Sequence, residues 1–314
     1  MGDKVAILMS TFNGEKYLPE QIESIIHQTY HNWVLYIRDD GSQDNTVKII
    51  KQFSRDNNNI IFVNEKNDIN VGVFDSFMNL LKKQSADYYM FSDQDDVWLE
   101  NKISNSLKLL KENEPGPVCV FTDAEIVTKD LKPIRRMLGN NVWTDFLSLC
   151  FANRVTGCTM IFNDELKRLI KFSDMDISKV YMHDWWIGLI ASKMGKLLYL
   201  NEPTLKYRQH GNNVVGGDKK NTLSHIANRF KNMNKERKNV EHSLSLLYEF
   251  YRQYSSGFKG NESNYIRRYS SLQTKSSFLY NLRTVLQYPP KRHSLKGKFF
   301  FSYIMVVYHD DYLA

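Results

Sequence analysis

The sequence predicts an α/β fold with a mostly parallel central sheet and helices on both of its faces. Between residues 4 and 121, apolar runs of strand length alternate four times with segments of helical periodicity. The links between them are short, and the strands end in polar residues such as Ser10-Thr11 and Asp39-Asp40. This alternation is typical of parallel sheets, whose ligands bind at the carboxyl ends of the strands.

The predicted elements follow one another in regular order. Strands are expected over residues 4–9, 33–37, 60–63, 87–91, 118–121 and 157–162, with short strands at 197–200 and 205–207. Helices are expected over residues 18–26, 45–53, 71–81, 97–110, 164–170 and 182–193, where apolar residues recur at helical spacing. Residues 133–154 are predicted to form loop and short helix, an insertion in the regular alternation of strands and helices.

Length and composition exclude several classes of protein. With 314 residues, of which 42% are apolar, the chain can bury one large core or two smaller ones. The start, Met1–Lys4 followed directly by an apolar strand, predicts a first strand and no secretion signal. No apolar run is long enough to span a bilayer. The three cysteines are odd in number and lack metal-ligand spacing, which favours reduced cytosolic thiols.

The positive charge is concentrated at the end of the chain. Residues 1–217 contain 25 Lys+Arg and 28 Asp+Glu, a net charge of −3, whereas residues 218–314 contain 17 and 7, a net charge of +10. We therefore predict one domain over 1–217 and a basic helical extension over 218–314. Such an extension suits nucleic acid, an anionic membrane surface or solubility.

The last apolar segment, 296–308, is a short helix candidate behind a basic patch. It is too short to cross a membrane, but it could lie in the membrane interface with its lysines at headgroup level. The alternative is a terminal helix that docks on the protein's own core or on a second subunit, which would make a homodimer.

One stretch, Tyr88–Trp98, joins an apolar strand to three carboxylates, Asp93, Asp95 and Asp96. Asp93 and Asp95 are two residues apart, so in extended backbone their side chains point the same way and can share Mg²⁺ or Mn²⁺. The alternative is a solvated turn in which Asp96 caps the helix that begins at Val97.

Familiar phosphate-binding loops are missing from the sequence. It has no G-x-G-x-x-G after the first strand and no G-x-x-x-x-G-K-[ST], which argues against a Rossmann dehydrogenase and a P-loop ATPase. A bound diphosphate would therefore be neutralised by a cation held by Asp93 and Asp95.

Four motifs in order resemble the family 2 glycosyltransferases of the GT-A fold, over about the first two thirds of the chain. They are Ser10-Thr11-Phe12-Asn13-Gly14, Asp39-Asp40-Gly41-Ser42, Asn70-Val71-Gly72 and Ser92-Asp93-Gln94-Asp95-Asp96-Val97-Trp98. More narrowly, Asp93–Trp98, His183–Trp186 and Tyr207–Asn213 look like the rhamnosyltransferases that build bacterial surface polysaccharides from dTDP-L-rhamnose. Related transferases that use UDP-sugars share much of this pattern.

The resemblance implies a nucleotide site on the first four strands. Thr11 and Asn13 would line the nucleoside pocket, and Asp40 would accept a hydrogen bond from the pyrimidine N3–H. Asp93 would lie beside the nucleotide and, with Asp95, match the metal-binding carboxylates. The alternative for Asp39-Asp40-Gly41-Ser42 is a bare turn, although a turn would not require two acids.

The resemblance also implies a catalytic base, Asp184, which would take the proton of an acceptor hydroxyl. Trp185 and Trp186 would supply an apolar wall or a stacking surface for a sugar. The alternative for Asp184 is an acid that the helix dipole favours at an N-terminus, and the alternative for the two tryptophans is a place in the core. Arg208 is a candidate phosphate partner, and His210 is a further cation or diphosphate ligand unless it is structural.

These observations together predict a metal-dependent inverting glycosyltransferase. Its donor would be dTDP-L-rhamnose and its cofactor Mg²⁺ or Mn²⁺. The acceptor would be lipid-linked or an oligosaccharide, at the inner face of the cytoplasmic membrane. The alternatives are a glucosyl- or galactosyltransferase that uses a UDP-sugar, a nucleotidyltransferase, and a nucleic-acid-binding module; the last two lack the basic loop or the recognition motif that they need.

Overall fold

The computed structural model describes residues 3–65, 69–210 and 232–312, which divide into two compact units. The first unit contains the described residues up to Thr144, Arg154–Ile170 and 182–210. The second contains Asp145–Asn153, Lys171–Tyr181 and 232–312. The predicted domain boundary between residues 217 and 218 lies outside the described residues, so it stays a prediction.

Nine strands form one sheet in the described part of the first unit. They are β1 (Val5–Thr11), β2 (Trp33–Asp39), β3 (Ile60–Phe62), β4 (Tyr88–Ser92), β5 (Val97–Trp98), β6 (Val118–Val127), β7 (Pro133–Arg136), β8 (Met160–Asn163) and β9 (Lys196–Arg208). Their order is β3-β2-β1-β4-β8-β6-β9-β5, and β7 pairs with β6.

The helices, in chain order, account for most of the remaining described residues. They are α1 (Leu18–Ile26), α2 (Thr46–Asp56), α3 (Val73–Lys83), α4 (Lys102–Lys111), α5 (Phe146–Leu149), α6 (Asp164–Arg168), α7 (His183–Met194), α8 (Met233–Tyr254), α9 (Gly260–Ser270), α10 (Leu272–Lys275), α11 (Phe278–Gln287) and α12 (Leu295–Val307). Of these, α5 and α8 to α12 belong to the second unit. None of the helices within the described ranges is long and apolar enough to cross a membrane.

The parallel half of the sheet brings three strand ends together. β1 lies between β2 and β4 and runs parallel to both, with Thr11 opposite Asp39 and Met9 opposite Ser92. β3 continues this half in parallel beside β2, whereas β8 joins β4 in antiparallel orientation. The residues that follow β1, β2 and β4 therefore share one edge of the sheet. The predicted α/β class with a helical C-terminal region is confirmed.

Burial explains why these strands form where the apolar runs lie. Val5, Ile7 and Met9 on one face of β1 are fully buried, and they share a core with Leu18 and Ile22 of α1. Both faces of β1 and β4 are covered, so their sequences are continuously apolar, as expected for strands in the middle of an α/β sheet.

The helix predicted over residues 97–110 begins later than expected. Val97 and Trp98 instead form β5, which pairs in antiparallel orientation with β9, and α4 begins at Lys102. The backbone N of Trp98 donates to Ser24 Oγ at 3.0 Å, and the indole is buried. Tertiary contacts thus override the helical pattern here. The alternative in which Asp96 caps this helix is wrong, because the N-cap residue is Asn101.

The two short strands predicted at 197–200 and 205–207 are one strand. β9 runs continuously for 13 residues and pairs in parallel with β6, with register shifts near Thr122 and Asp123. The shifts absorb the polar interruption at Asn201, Glu202 and Pro203, which the sequence pattern could not distinguish from a loop. The three cysteines are free and buried, as predicted for reduced thiols.

Candidate active site

At the ends of β1 and β2, the Asp39 carboxylate accepts hydrogen bonds that stabilise the turn after β2. Thr11 Oγ1 donates to Asp39 Oδ1 at 2.8 Å, and Asp39 Oδ2 accepts from the backbone N atoms of Gly41 at 3.1 Å and Ser42 at 2.8 Å. Thr11 is fully buried beneath this turn. Thr11 therefore lies at the predicted edge of the sheet, with its hydroxyl already committed to Asp39.

Asp40, the second acid, is held by donors from three directions. Its Oδ1 accepts from Arg38 Nη1 at 2.6 Å and from Val71 N at 2.8 Å, while its Oδ2 accepts from Gly72 N at 2.8 Å. Gly72 has φ of +83°, a backbone conformation that favours glycine. Arg38 and the backbone of the third motif thus fix this carboxylate, and no sequence pattern indicates this role of Arg38.

Asn13 joins the loop after β1 to the loop after β2. Its Oδ1 accepts from Gln43 N at 2.8 Å, and its backbone N donates to Ser42 Oγ at 2.8 Å. Asn13 has φ of +47°, which asparagine tolerates better than most residues. The asparagine and the two acids therefore belong to one hydrogen-bonded edge.

Gln94 joins the acidic loop after β4 to the loop after β1, and sequence reasoning missed it. Its Oε1 accepts from Phe12 N and its Nε2 donates to Phe12 O, both at 2.9 Å. A Cβ on Gly14 would lie 2.2 Å from Gln94 Oε1, so the glycine makes this approach possible. The available signal was the alternation in Asp93-Gln94-Asp95, which directs the amide away from its acidic neighbours.

The carboxylates after β4 are crowded. One oxygen each of Asp93 and Asp96 and the sulfur of Cys158 lie within 4.8 Å of one another. Burial, together with the charges of Asp95 and Asp184, raises the pKa of Asp93 to about 7. Burial and the charges of Asp93 and Asp95 raise the pKa of Asp96 well above its usual range. Asp184 of α7 accepts from the backbone N of Gly157, the neighbour of Cys158, so the start of α7 and the end of β4 face the same site.

His210 lies beside Asp95, and its predicted role as a ligand stays a prediction. His210 Nε2 is 2.7 Å from Asp95 Oδ2, and the imidazole stacks on Tyr17 with ring centroids 5.1 Å apart. Both side chains are only partly buried. The Tyr17 ring therefore restricts the imidazole of His210, while the His210–Asp95 pair remains partly exposed to solvent.

Arg208 fixes the backbone of the acidic loop. Its Nε donates to Asp95 O at 2.9 Å, and its backbone N donates to Asp96 Oδ1 at 3.2 Å. The guanidinium also donates to Glu20 and lies over the Tyr17 ring at 4.6 Å from its centroid. Arg208 is buried, so its contacts orient the loop that carries the acids.

Asp184 lies in the first turn of α7. Its Oδ2 accepts from Gly157 N at 3.0 Å, and its Oδ1 accepts from the backbone N of Trp185. Trp185 is 7% exposed and Trp186 is fully buried, so most of both indoles packs inside the fold. Asp184 is thereby fixed in the vicinity of Asp93, and the roles of the two tryptophans at an acceptor stay predictions.

His183 packs the N-terminal end of α7 against α3 and β4. Its imidazole packs between Phe77 and Phe91, with centroid distances of 4.4 and 4.6 Å, and burial lowers its pKa to about 3. A Cβ on Gly157 would lie 2.7 Å from His183 Nε2. His183 is therefore a neutral core residue, and its packing positions the N-terminal end of α7.

Lys102, on α4, is a buried cation that sequence reasoning missed. Its Nζ donates to Thr204 Oγ1 at 3.2 Å and lies 4.9 Å from the centroid of the Trp98 ring. Burial lowers its pKa to about 8, against the opposing charges of Cys158 and Asp96. The buried carboxylate of Asp96 therefore has a buried cation near it.

The donor set fits a hard divalent cation. The carboxylate oxygens of Asp93 and Asp95 suit Mg²⁺ or Mn²⁺, and the imidazole nitrogen of His210 would favour Mn²⁺ of the two. Burial is the main cause of the raised pKa of Asp93, and a cation would offset the smaller effect of the nearby charges of Asp95 and Asp184.

Comparison with known proteins identifies the family. The model of a family described as "Glycosyl transferase family 2" matches residues 6–170. The chain belongs to this family. The match covers the edge formed by the ends of β1, β2 and β4, and confirms the resemblance that the motifs predict.

One relative and two solved structures are similar to this family 2 glycosyltransferase. This chain is 30% identical to "dTDP-rhamnosyl transferase RfbG" of Shigella flexneri, over 67% of this chain and 74% of the relative. S. aureus TarS in complex with UDP-GlcNAc matches with a TM-score of 0.54 and 14% identity, over 98% of this chain and 92% of that one.

The second solved structure is the mannosyltransferase PcManGT from Pyrobaculum calidifontis in complex with GDP-Man and Mn²⁺. It matches with a TM-score of 0.54 and 14% identity, over 98% of this chain and 88% of that one. At this level of identity the two structures support the fold alone. The fold of this family 2 glycosyltransferase therefore resembles the folds of TarS and PcManGT.

Proposed function

We propose that this family 2 glycosyltransferase transfers L-rhamnose from dTDP-L-rhamnose to a hydroxyl of a lipid-linked or oligosaccharide acceptor. The observation that carries the proposal is the proximity of Asp184 to the acidic loop. Asp184 accepts from Gly157 N at 3.0 Å, and the sulfur of the adjacent Cys158 lies within 4.8 Å of an oxygen of Asp93. Asp93 and Asp95 would suit a cation, and Asp184 would suit a base. The 30% identity to a dTDP-rhamnosyl transferase supports the choice of donor.

The nucleoside would lie over the ends of β1 and β2. Asp40 would accept from the imide N–H of thymine, because a carboxylate has about four lone-pair sites and can take another donor beside Arg38 and the two backbone N–H groups. Thr11 and Asn13 would shape this pocket through the turn that they hold together. Preorganisation of this kind lowers the entropy cost of binding.

Asp95, Asp93 and His210 would hold Mg²⁺ or Mn²⁺, which when bound supplies positive charge beside the donor diphosphate. Arg208 orients Asp95 through its carbonyl oxygen and is itself a candidate for the diphosphate. The side chains therefore hold the leaving group on one side of the anomeric carbon.

Asp184 would act on the other side as the general base. A sugar hydroxyl is a poor nucleophile at neutral pH, so a carboxylate within hydrogen-bond reach takes its proton as it attacks. The N–H of Gly157 holds one oxygen of Asp184 and restricts its rotation. One displacement inverts the anomeric configuration, so a β-linked donor gives an α-rhamnoside. Trp185, which is 7% exposed, would form the apolar wall behind the acceptor, and the fully buried Trp186 would support it from the core.

A second candidate donor is a UDP-hexose, such as UDP-glucose or UDP-galactose. Uracil and thymine present the same imide edge, so the contact with Asp40 favours neither base over the other. The selection between the two donors would fall to the pocket around the sugar and the thymine methyl group.

The enzyme would work in the cytoplasm at the inner face of the plasma membrane, where lipid-linked acceptors are found. Its partners would be the donor and the acceptor, with no nucleic acid. A homodimer formed through the extension is the alternative use of the C-terminal helices.

A panel of nucleotide-sugars, each with and without Mn²⁺, tests the proposal. In thermal unfolding, dTDP-rhamnose at a hundredfold excess over its Kd should stabilise the protein by about 2.7 kcal/mol, and UDP-sugars by less. Product analysis by NMR should show an α-rhamnoside. If a UDP-hexose stabilises more strongly and is consumed, the second candidate replaces the first; if no nucleotide-sugar stabilises the protein, the proposal fails.

A further inference from the structure

Helix α11 of the second unit buries two polar residues and exposes an apolar surface, beside the exposed polar side chains of Arg283 and Gln287. Asn281 and Thr284 are fully buried, whereas Leu279 and Leu286 are 64% and 74% exposed. The exposed leucines are seven residues apart, on one face of the helix. A helix that lies on a soluble core shows the opposite arrangement.

Hydrogen bonds fix α11 in this orientation. Asn281 Nδ2 donates to Met305 O of α12 at 2.7 Å and to Ser276 Oγ at 2.8 Å. Thr284 Oγ1 accepts from Arg268 Nε at 2.9 Å and donates to Tyr280 O at 2.7 Å. Rotating the helix to bury its leucines would break the bonds to Met305 and Arg268, each of which is costly to leave unmade, whereas the bond from Thr284 to Tyr280 lies within the helix. The apolar face is therefore held outward.

Helix α12, which packs against α11, also exposes an apolar stripe. Leu295, Phe299 and Val307 are 81%, 68% and 45% exposed, at spacings of four and eight residues. Tyr303 stacks on Phe299 within the same stripe, with ring centroids 6.4 Å apart. At about 1.5 Å per residue, the 13-residue helix is too short to span a bilayer.

The charge around these stripes has one sign. Residues 263–309 contain eight Lys and Arg and no Asp or Glu. A cavity of about 350 Å³ adjoins α11 and is lined by Arg267, Arg268 and Lys275, together with Tyr280 and Gln287 of α11 itself. A cationic pocket and an exposed apolar stripe thus share one helix.

We infer that α11 and α12 form the surface by which this protein binds the interface of an anionic phospholipid membrane. The exposed leucines and Phe299 enter the boundary of the acyl chains, and the cationic pocket takes a lipid phosphate. This inference deepens the proposed function and rests on it for the location of the acceptor.

Two other occupants fit less well. A second copy of the chain, related by twofold symmetry, would set this cationic surface against its own equivalent. A nucleic acid would match the charge, but it would leave Leu279, Leu286, Leu295 and Phe299 without an apolar partner. An anionic bilayer satisfies both the charge and the apolar stripes.

Co-sedimentation with vesicles tests the inference on the full chain. The protein should pellet with vesicles of phosphatidylcholine and phosphatidylglycerol, and less with phosphatidylcholine alone. Leu286→Ser and Phe299→Ser should each weaken binding about tenfold, from the apolar surface that no longer enters the membrane. Ile177→Ser, at a position 53% exposed in the same unit, is the matched control and should bind as the wild type does.

The charge is tested in the same way. Arg267→Glu with Lys275→Glu should weaken binding to anionic vesicles and reduce its dependence on salt, whereas Lys82→Glu with Lys83→Glu on α3 should change binding little. Equal pelleting of all variants would overturn the inference. So would a wild-type protein that does not pellet, that binds duplex DNA more tightly than vesicles, or that forms a dimer which Leu286→Ser dissociates.

Nucleotide-sugar binding, measured in buffer without vesicles, keeps the two proposals apart. The leucine and charge variants should retain the thermal stabilisation by dTDP-rhamnose. Vesicle binding without any nucleotide-sugar binding would support the membrane surface and remove the proposed function. Nucleotide-sugar binding without vesicle binding would support the proposed function and remove the membrane surface.

Discussion

His210 and Asp95 are 115 residues apart in the sequence, and His210 Nε2 lies 2.7 Å from Asp95 Oδ2. The end of β9 and the loop after β4 bring them together, and the Tyr17 ring covers the imidazole. This pair gives the proposed cation site a nitrogen ligand from a part of the chain that the acidic motif does not contain.

The first prediction concerns this pair. His210→Ala should weaken the Mn²⁺-dependent part of dTDP binding by about tenfold or more, because the site loses a ligand. Titration calorimetry with and without Mn²⁺ measures it. His27→Ala, which removes an exposed imidazole on α1, should leave the affinity unchanged. Equal dTDP affinity with and without Mn²⁺ in the wild type would count against any metal role.

The second prediction concerns Asp184. Asp184→Asn should lower kcat by about a thousandfold and leave donor binding nearly intact, because the amide cannot take a proton but keeps the shape of the side chain. Steady-state kinetics and thermal shift with dTDP-rhamnose separate the two effects. Asp130→Asn, at an exposed acid, is the control. An Asp184→Asn enzyme that transfers sugar at the wild-type rate shows that another group is the base.

The third prediction concerns pH. The pKa of Asp93 is raised to about 7 in the folded protein from an ordinary 3.8, so the carboxyl binds its proton more tightly when folded. Its contribution to stability is therefore present below pH 3.8 and is lost as the pH rises through 7. Asp93→Asn should raise the free energy of unfolding at pH 8, on the order of 3 kcal/mol, and very little at pH 4.

Denaturant unfolding of both proteins across this pH range, without divalent cations, measures the difference. Addition of Mn²⁺ at pH 8 should reduce the advantage of the variant, because the cation offsets the same charge. An advantage that does not change with pH would show that Asp93 does not titrate as stated.

The fourth prediction concerns the buried cation. Lys102→Met should destabilise the fold, on the order of 1–3 kcal/mol, because Thr204 loses the Nζ donor and the acids around Asp96 lose a positive charge from their surroundings. The double variant with Asp96→Asn should lose less than the two single variants together, by about 1 kcal/mol or more. Lys108→Met, at an exposed position of the same helix, is the control. Additive losses in the double-mutant cycle would mean that the two charges do not interact.

Local patterns were enough to predict several parts of this protein. The alternation of apolar runs and helical segments gave the parallel half of the sheet, because a strand covered on both faces has to be continuously apolar. The motifs gave the family, and the family model confirms it. The pairing of His210 with the acidic loop also agreed with its predicted place, since both follow the ends of strands.

The parts that the sequence did not predict depend on contacts between distant residues. Val97 and Trp98 follow helical spacing, but pairing with β9 makes them a strand. Gln94, Arg38 and Lys102 are ordinary polar residues in the sequence, and they acquire a role only where Phe12, Asp40 and Thr204 lie beside them.

The fold class, the family and the edge of the sheet where the carboxylates lie follow from the amino-acid sequence alone, because short-range periodicity and local motifs encode strands, helices and their ends. The donors that hold each acid, the extent to which burial raises the pKa of Asp93, and the face of α11 that points outward follow only from the folded structure. Hydrogen bonding, desolvation and burial all depend on neighbours that chain folding brings together, and a linear pattern does not contain those neighbours.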